Sequence, residues 1–261
     1  MTLRSGLLRA RGIARSLAIY HGIPGRRARM ARLYGAFIGP GDVGFDVGAH
    51  VGSRVRAWRR LGAHVVAVEP QPDCVRVLRL LFWRARDVTI VPLAVGARPG
   101  RVRLGVSRAT PTVSSTSPSW RDTVAGDSGF ARVRWDLGVE VPVTTLDQLI
   151  AEHGVPAFCK IDVEGAEGDV LAGLTQALPA LSFEYLPAAH EEALAVLERV
   201  EQLGRTAGGY RYNYSRVETM RWENAEWSDV AGLVAVLDRL RPLGRSGDVY
   251  ARLPASPGGS A

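Results

Sequence analysis

Val43-Gly44-Phe45-Asp46-Val47-Gly48-Ala49-His50-Val51-Gly52 is an apolar run that ends in an acid and a glycine-rich turn. About one helix further on, Val65-Val66-Ala67-Val68-Glu69-Pro70 repeats the pattern, an apolar run followed by an acid. Two buried strands joined through one helix are the βαβ unit of an open parallel sheet. Such sheets collect ligands outside the carboxyl ends of their strands. Backbone N–H groups after Gly48 and Gly52 suit an anionic head group, and glycine lets a ligand approach the main chain.

The pattern continues outward from this unit. Ser53–Leu61 reads as a helix with Val55, Trp58 and Leu61 at three-residue spacing. Pro72 and Asp73 open a second helix, with Val75, Leu78, Leu81 and Phe82 on one face, and Val88–Val95 reads as a third strand. Arg101–Val106 alternates like an edge strand. Residues 107–129 show no period and read as a structureless loop, a candidate lid. Val139–Val143 is strand-like, and Thr145 with Gln148 forms a capping box ahead of Leu146, Leu149 and Ile150. Ala157–Ile161 reads as a buried strand, Ala166–Leu178 as a helix and Leu181–Leu186 as the next strand. A helix over 190–203 follows. Tyr210–Tyr214 and Val249–Leu253 then form a late strand pair around a helix carrying Val230, Leu233, Val234 and Leu237.

Composition sets the outer bounds. A chain of 261 residues with 46% apolar content can bury a sizeable core, and no apolar run reaches the roughly 18 residues of a membrane span. Cys74 and Cys159 lie far apart in apolar stretches and read as buried thiols, which fits a reducing, cytoplasmic location. The net charge of +7 is carried by arginine; Lys160 is the only lysine. Residues 1–33 hold Arg4, Arg9, Arg11, Arg15, Arg26, Arg27, Arg29 and Arg32 and no acid. This start reads as a helical extension packed on the domain, in preference to a transit peptide, a membrane-surface helix or a nucleic-acid arm. The expected division is an extension over 1–35, a domain over 36–253 and a disordered tail over 254–261.

The first turn does not match G-x-G-x-x-G: the spacing is Gly48-x-x-x-Gly52, with His50 where a middle glycine would stand. Asp46 lies inside the strand end. Together with Glu69, placed for a ribose diol, this favours S-adenosylmethionine over NAD, because its amino-acid end needs both an anion-binding turn and an acceptor for its ammonium. A second constellation, Phe158-Cys159-Lys160-Ile161-Asp162-Val163-Glu164-Gly165-Ala166-Glu167-Gly168-Asp169, delivers four acids at another strand end. Lys160 and Asp162 point to the same side of an extended chain. Clustered acids call for a cation, a cationic ligand or hydrogen bonds. Glu167 and Asp169 read as an ordinary acidic helix start on the surface, and Asp162 and Glu164 as functional.

Five segments, FDVGAHVGS from Phe45, VVAVEPQP from Val65, VPLAVG from Val91, VPVTTLDQLI from Val141 and CKIDVEGAEGDVL from Cys159, together resemble the FkbM family of S-adenosylmethionine-dependent methyltransferases. The resemblance covers roughly residues 36–190. It implies an α/β fold with a doubly wound, mostly parallel seven-stranded sheet of the Rossmann-like, class I methyltransferase type, here with an N-terminal helical extension. It also implies O-methylation of natural-product or sugar hydroxyls, with Asp46, Gly48 and Glu69 on the cofactor and Asp162 and Glu164 as the acidic motif lining the site.

An alcohol must lose a proton as its oxygen is methylated. Asp162 is the leading candidate base, with Glu164, His50 and Lys160 as alternatives. His50, Gly52, Ser115 and Asp162 join the expected cofactor set, and Ser114 and Thr116 are weaker candidates beside Ser115. No residue is assigned to a metal. A magnesium-assisted O-methyltransferase and a NAD-binding oxidoreductase stay open as alternatives, and a basic binding module for RNA or an anionic membrane ranks last. The expected partner is a small-molecule or saccharide acceptor. No nucleic acid is expected, and the basic amino terminus allows peripheral membrane contact. Trp120, Trp135, Tyr185, Tyr210, Tyr212, Tyr214, Trp222 and Trp227 are read as packing residues before sugar-stacking ones. The sequence does not disclose the oligomeric state.

Overall fold

The computed structural model describes residues 3–107, 110, 113–126, 133–216 and 219–254, with side chains from residue 11 onward. The expectation of a disordered tail falls on residues 255–261, outside that set, as do parts of the predicted lid. Helices α1 (Leu3–Gly22) and α2 (Arg26–Tyr34) come first. Then follow β1 (Val43–Val47), α3 (Ser53–Arg60), β2 (His64–Val68), α4 (Pro72–Leu81), β3 (Val88–Val91), β4 (Ala94–Val95) and β5 (Gly100–Val106). The chain continues through α5 (Pro118–Val124), β6 (Leu137–Thr144), α6 (Leu146–His153), β7 (Phe158–Ile161), α7 (Glu167–Ala172) and β8 (Ala180–Tyr185). It closes with α8 (His190–Gly204), β9 (Arg211–Arg216), α9 (Val230–Leu240) and β10 (Gly247–Arg252).

The main sheet has seven strands in the order β3-β2-β1-β7-β8-β10-β9. β1 pairs in parallel with β2 and β7, β2 with β3, and β7 with β8; β10 alone runs against both its neighbours. This is the doubly wound, mostly parallel sheet expected from the sequence. Because the parallel strands are covered on both faces, they are apolar almost throughout. Phe45 and Val47 of β1 face one core with Ile161, Leu171, Phe183, Leu197 and Leu237. The other face of the sheet packs on Trp58, Leu78, Phe158 and Tyr250 and on Met30, Leu33 and Tyr34 of α2. Gly44 is what lets Trp58 lie against β1: a Cβ there would come 2.9 Å from the indole and 2.5 Å from Ile38 Cδ1.

Three expectations about local structure are corrected. Val88–Val95 is not one strand. β3 is the edge strand of the main sheet, and past Pro92, which has no N–H to donate, β4 leaves to join β6 and β5 in a separate sheet ordered β4-β6-β5. The helix expected over 166–178 ends at Ala172. Gly173 passes so close to the Gly96 carbonyl that no side chain fits between them, and the chain leaves the helix there, with Leu174 and Leu178 still buried in the core. The predicted lid is partly ordered: Ser115 bridges to Gly105, and Ser117 caps α5 by accepting from the Trp120 N–H, with Pro118 in the first turn.

The capping box of α6 is half formed. Thr145 Oγ1 accepts from the Gln148 N–H at 3.1 Å, while Gln148 Oε1 accepts from Thr144 Oγ1 instead of returning to the cap. Cys74 and Cys159 are buried free thiols. Tyr185, Tyr210, Tyr212 and Tyr214 are core residues, and Trp222 and Trp227 pack on Phe37 and each other. Among the described residues no helix is long and apolar enough to cross a membrane. Gly44→Ala is expected to lower the unfolding free energy by about 1–3 kcal/mol through overpacking against Trp58, read as a shifted urea midpoint at unchanged m-value.

Candidate active site

β1, β2, β7 and β8 end at one edge of the sheet, and each brings an acid there: Asp46, Glu69, Asp162 and Glu184. β10 runs the other way, so its beginning lies at that edge, with Asp248 directly across from Glu184. Five carboxylates therefore converge. Arg54, in the first turn of α3, holds part of this edge together. Its Nε donates to Asp46 Oδ1 at 2.6 Å, one terminal nitrogen to Asp162 Oδ2 at 2.7 Å, and the other to the Gly48 carbonyl at 2.8 Å. Lys160, 1% exposed, donates to Asp248 Oδ1 at 2.9 Å and to the Ile161 carbonyl at 3.2 Å, and lies 3.9 Å from Asp162.

These partners set the protonation of the acids. Burial alone would raise the Asp162 pKa, but Lys160 and Arg54 outweigh it and hold the carboxyl below its ordinary value. Glu164 goes the other way: burial and then the charges of Glu184 and Asp162 push it well above the ordinary carboxylate range. Glu184 is raised likewise, by burial and then by Asp162 and Glu167. Oxygens of Asp162, Glu164 and Glu184 lie within 4.8 Å of one another. Lys160 is raised, since Asp248 and Asp162 overcome the burial that would neutralise it.

Glu69 is nearly buried, and its two oxygens accept from the His50 N–H at 2.7 Å and the Gln71 N–H at 2.8 Å. Burial raises it to about 7 against the pull of those amides. His50 is lowered to about 4, first by burial and then by Arg54, so its ring is neutral near pH 7. Its Nε2 is buried without a hydrogen-bond partner.

Two cavities meet here. One, of about 570 Å³, is lined by Gly48, His50, Glu69, Asp162 and Glu164 under the apolar Leu93 and Leu104, with Ser114 and Thr116 at its side. The other, of about 830 Å³, is lined by Tyr20, Arg26 and Tyr34 of the first two helices and by Arg54, Glu184 and Asp248. Gly48, His50, Asp162 and Glu164 border both. Gly48, at φ 85°, has the Asp162 carbonyl where a Cβ would stand, so only glycine lets the turn lie this close to the end of β7. Among the described residues, the non-glycine positions with left-handed backbone are His50, Glu164 and Met220, and all three line the second cavity. Each such residue costs about 1–3 kcal/mol, a cost that concentrates at functional sites.

Several residues singled out from sequence lie elsewhere than expected. Asp46 is fully buried behind the wall, one oxygen on Arg54 and the other without a partner. Gly52 borders neither cavity; at φ 77° it starts α3 beneath Leu78 and Phe82. Ser115 turns inward, donating to the Glu164 carbonyl at 2.6 Å, and so fixes the turn while its neighbours face the cavity. Glu167 is not a surface residue. It is 8% exposed and accepts from the Val163 and Gly165 N–H groups. Asp169 is exposed, as read. Sequence reasoning passed over Arg54, Glu184, Asp248, Tyr20 and Arg26. Glu184 carried a usable signal, an acid at the end of a buried strand, like the three acids that were recognised.

The amino-terminal helices are tied to this site. His21 Nε2 is 2.9 Å from the Val51 carbonyl, and the Tyr20 ring meets the edge of His50 at 5.3 Å between centroids. Burial and then Asp162 and Glu164 raise the Tyr20 hydroxyl to about 12.

Comparison with known proteins adds a family. The hexuronic acid methyltransferase AglP of Haloferax volcanii is 31% identical over 144 residues, which are 54% of this chain and 54% of that protein. The 2-O-methyltransferase NoeI of Sinorhizobium fredii is 28% identical over 159 residues, 59% of this chain and 65% of that protein. The chain thus spans between half and two thirds of the length of these relatives. Among solved structures, an O-methyltransferase from Bacillus cereus in complex with SAH superposes with a TM-score of 0.46 at 10% identity, covering 97% of this chain and 92% of that one. Residues 46–212, more than half of the chain, match the family described as the methyltransferase FkbM domain. On that match the chain belongs to the FkbM methyltransferase family.

Proposed function

We propose that this chain methylates a hydroxyl oxygen of a saccharide, with S-adenosylmethionine as methyl donor. The observation that carries the reading is the shared wall. Gly48, His50, Asp162 and Glu164 border two cavities at once, so the cavities adjoin, and a donor in one can present its methyl directly to an acceptor oxygen in the other, the C–O bond forming as the S–C bond breaks and S-adenosylhomocysteine leaves. The first cavity fits the donor: it sets a buried carboxylate, Glu69, beside a glycine turn and an unpartnered buried nitrogen, His50 Nε2. Glu69 would hold the ribose diol with the lone pairs that the two amides leave free. S-adenosylmethionine, when bound, supplies an electrophilic methyl group. This family membership sets aside the NAD-dependent alternative.

The second cavity fits a polyhydroxy acceptor. It is lined by carboxylates, two guanidinium groups and the side chains of Tyr20 and Tyr34, a set of hydrogen-bonding groups suited to a hydroxyl-rich ring. The names of both curated relatives point the same way, one to a hexuronic acid and one to 2-O-methylation. For the proton, Asp162 is ill suited, because Arg54 and Lys160 keep it a weak base. Glu164 and Glu184 are the better pair. They share the cavity, and after burial the charge of Glu184 favours protonation of Glu164. We assign Glu164 as the base that takes the hydroxyl proton and Asp162 as the group that keeps Arg54 and the turn in place. The acidic trio also favours a second reading, a magnesium ion bound among Asp162, Glu164 and Glu184. Activity lost in chelator and restored by magnesium would select it; the metal-free reading expects no change.

Two outcomes are expected. Glu69→Ala should weaken S-adenosylhomocysteine binding by about tenfold or more in calorimetry, the equivalent of one good hydrogen bond to a charged group, and should also lower the thermal midpoint, since the His50 and Gln71 N–H groups lose their acceptor. Unchanged affinity would remove Glu69 from the donor site. Glu164→Gln should lower kcat by about 10²-fold or more while leaving donor affinity intact. Because Glu164 must be ionised to act and its pKa is raised, kcat should fall as pH drops through a value above the ordinary carboxylate range. Glu184→Gln removes a like charge, so it should move that acidic limb to lower pH; an unmoved limb would break the assignment.

A further inference from the structure

A second concave surface adjoins the acceptor cavity. It is lined by Arg29 of α2 and by Arg216, Thr219, Arg221, Trp222 and Glu223. Two short stretches of chain connect it to the cavity. On α2, Arg26 and Met30 line the cavity while Arg29 lines the cleft. After β9, Met220 lines the cavity while its neighbour Arg221 lines the cleft. Met220 has φ 52°, so a non-glycine residue is held left-handed where the two surfaces join.

The charge in the cleft is lopsided. Among the described residues, three guanidinium groups line it beside one carboxylate, and that carboxylate is already shared: Glu223 meets Arg216 at 3.0 Å and Arg239 at 3.6 Å. Arg29 and Arg221 have no carboxylate partner among the described residues. The wall is rigid, since Trp222 is packed at 5.2 Å on Trp227 and 4.9 Å on Tyr250 between ring centroids. Thr219 is fixed through its hydroxyl, which donates to the Arg216 carbonyl at 2.8 Å. Like charges gathered in a concavity focus the field on an incoming anion. Guanidinium forks match the oxygens of a carboxylate or a phosphate better than any neutral group.

We propose that this cleft binds an anionic group of the acceptor, a phosphate or a carboxylate, while the hydroxyl to be methylated lies in the adjoining cavity. The proposal rests on the acceptor reading above and narrows it to acidic or phosphorylated saccharides. Neutral sugars would fill the cavity and leave the arginines to water.

The test titrates glucose, glucuronate and glucose 1-phosphate into the protein saturated with S-adenosylhomocysteine, followed by ligand-observed NMR. At least one charged sugar should bind about tenfold tighter than glucose, as expected for charge-assisted pairing, and increased ionic strength should weaken that sugar alone. The two charged probes separate phosphate from carboxylate recognition. The double variant Arg29→Ala/Arg221→Ala should bind all three sugars alike, while its S-adenosylhomocysteine affinity, which also reports its folding, stays within about twofold of the parent, as for a change remote from the donor site. Glucose binding as tightly as both charged sugars, neither charged sugar binding measurably, or a charge preference that survives the double substitution would each overturn the proposal. If S-adenosylhomocysteine itself fails to bind, the methyl-donor reading falls, and the same titrations on the protein alone still decide the cleft.

Discussion

The fork of Arg54 is the constraint on which the acid-bearing edge of the sheet depends. A guanidinium in the first turn of α3 reaches Asp46 on β1, the Gly48 carbonyl in the turn, and Asp162 beyond β7. Three pieces of chain that would otherwise repel or fray are thereby fixed to one another. The arrangement is strong only as a unit. Removing one partner of a buried ion pair typically costs about 3–5 kcal/mol, because the remaining charge is stranded away from water. Asp46 is fully buried with one oxygen already lacking a partner, so it depends on Arg54 more than any other acid here.

From that fork follows a division of labour among the acids. Asp162 is tied to two cations and stays ionised; Glu164 and Glu184 face the same space without such ties and hold their protons more firmly. Carboxyl groups within 4.8 Å of each other thus differ in proton affinity because their partners differ, which is the usual route by which one site carries both a fixed charge and a proton acceptor. The left-handed backbone at His50 and Glu164 belongs to the same economy of space. A turn that must present a side chain to each of two cavities has little freedom left in its main chain.

Most of the sheet was legible in the sequence because its strands are buried on both faces and end in acids. The apolar runs at 43–47, 64–68 and 158–161 announce themselves, and the glycine turn with Glu69 points at the edge where the acids and a cavity meet. What escaped had no local signature. Arg54 is one arginine in an arginine-rich chain, and only the three-dimensional meeting of β1 and β7 distinguishes it. Asp248 is invisible because β10 is reversed, so the acid that reaches the site stands at the start of its strand and not at the end. Ser115 and Gly52 were drawn in by proximity in sequence to cavity residues, although one turns inward and the other packs under α4. Pro92 and Gly173 are single residues that redirect the chain, and periodicity counts pass over single residues.

The wall supplied by Tyr20, Arg26 and Tyr34 lies wholly outside residues 46–212, the stretch that matches the family. It is also part of the core: Met30, Leu33 and Tyr34 of α2 pack with Trp58 and Phe158, while His21 meets Val51 and Tyr20 meets His50. On the proposed reading, a segment that closes one face of the domain also supplies part of the acceptor's wall. A lineage that acquires a new target through this segment is held to its cavity-facing positions, such as Tyr20 and Arg26, because Met30, Leu33 and Tyr34 must go on filling the core.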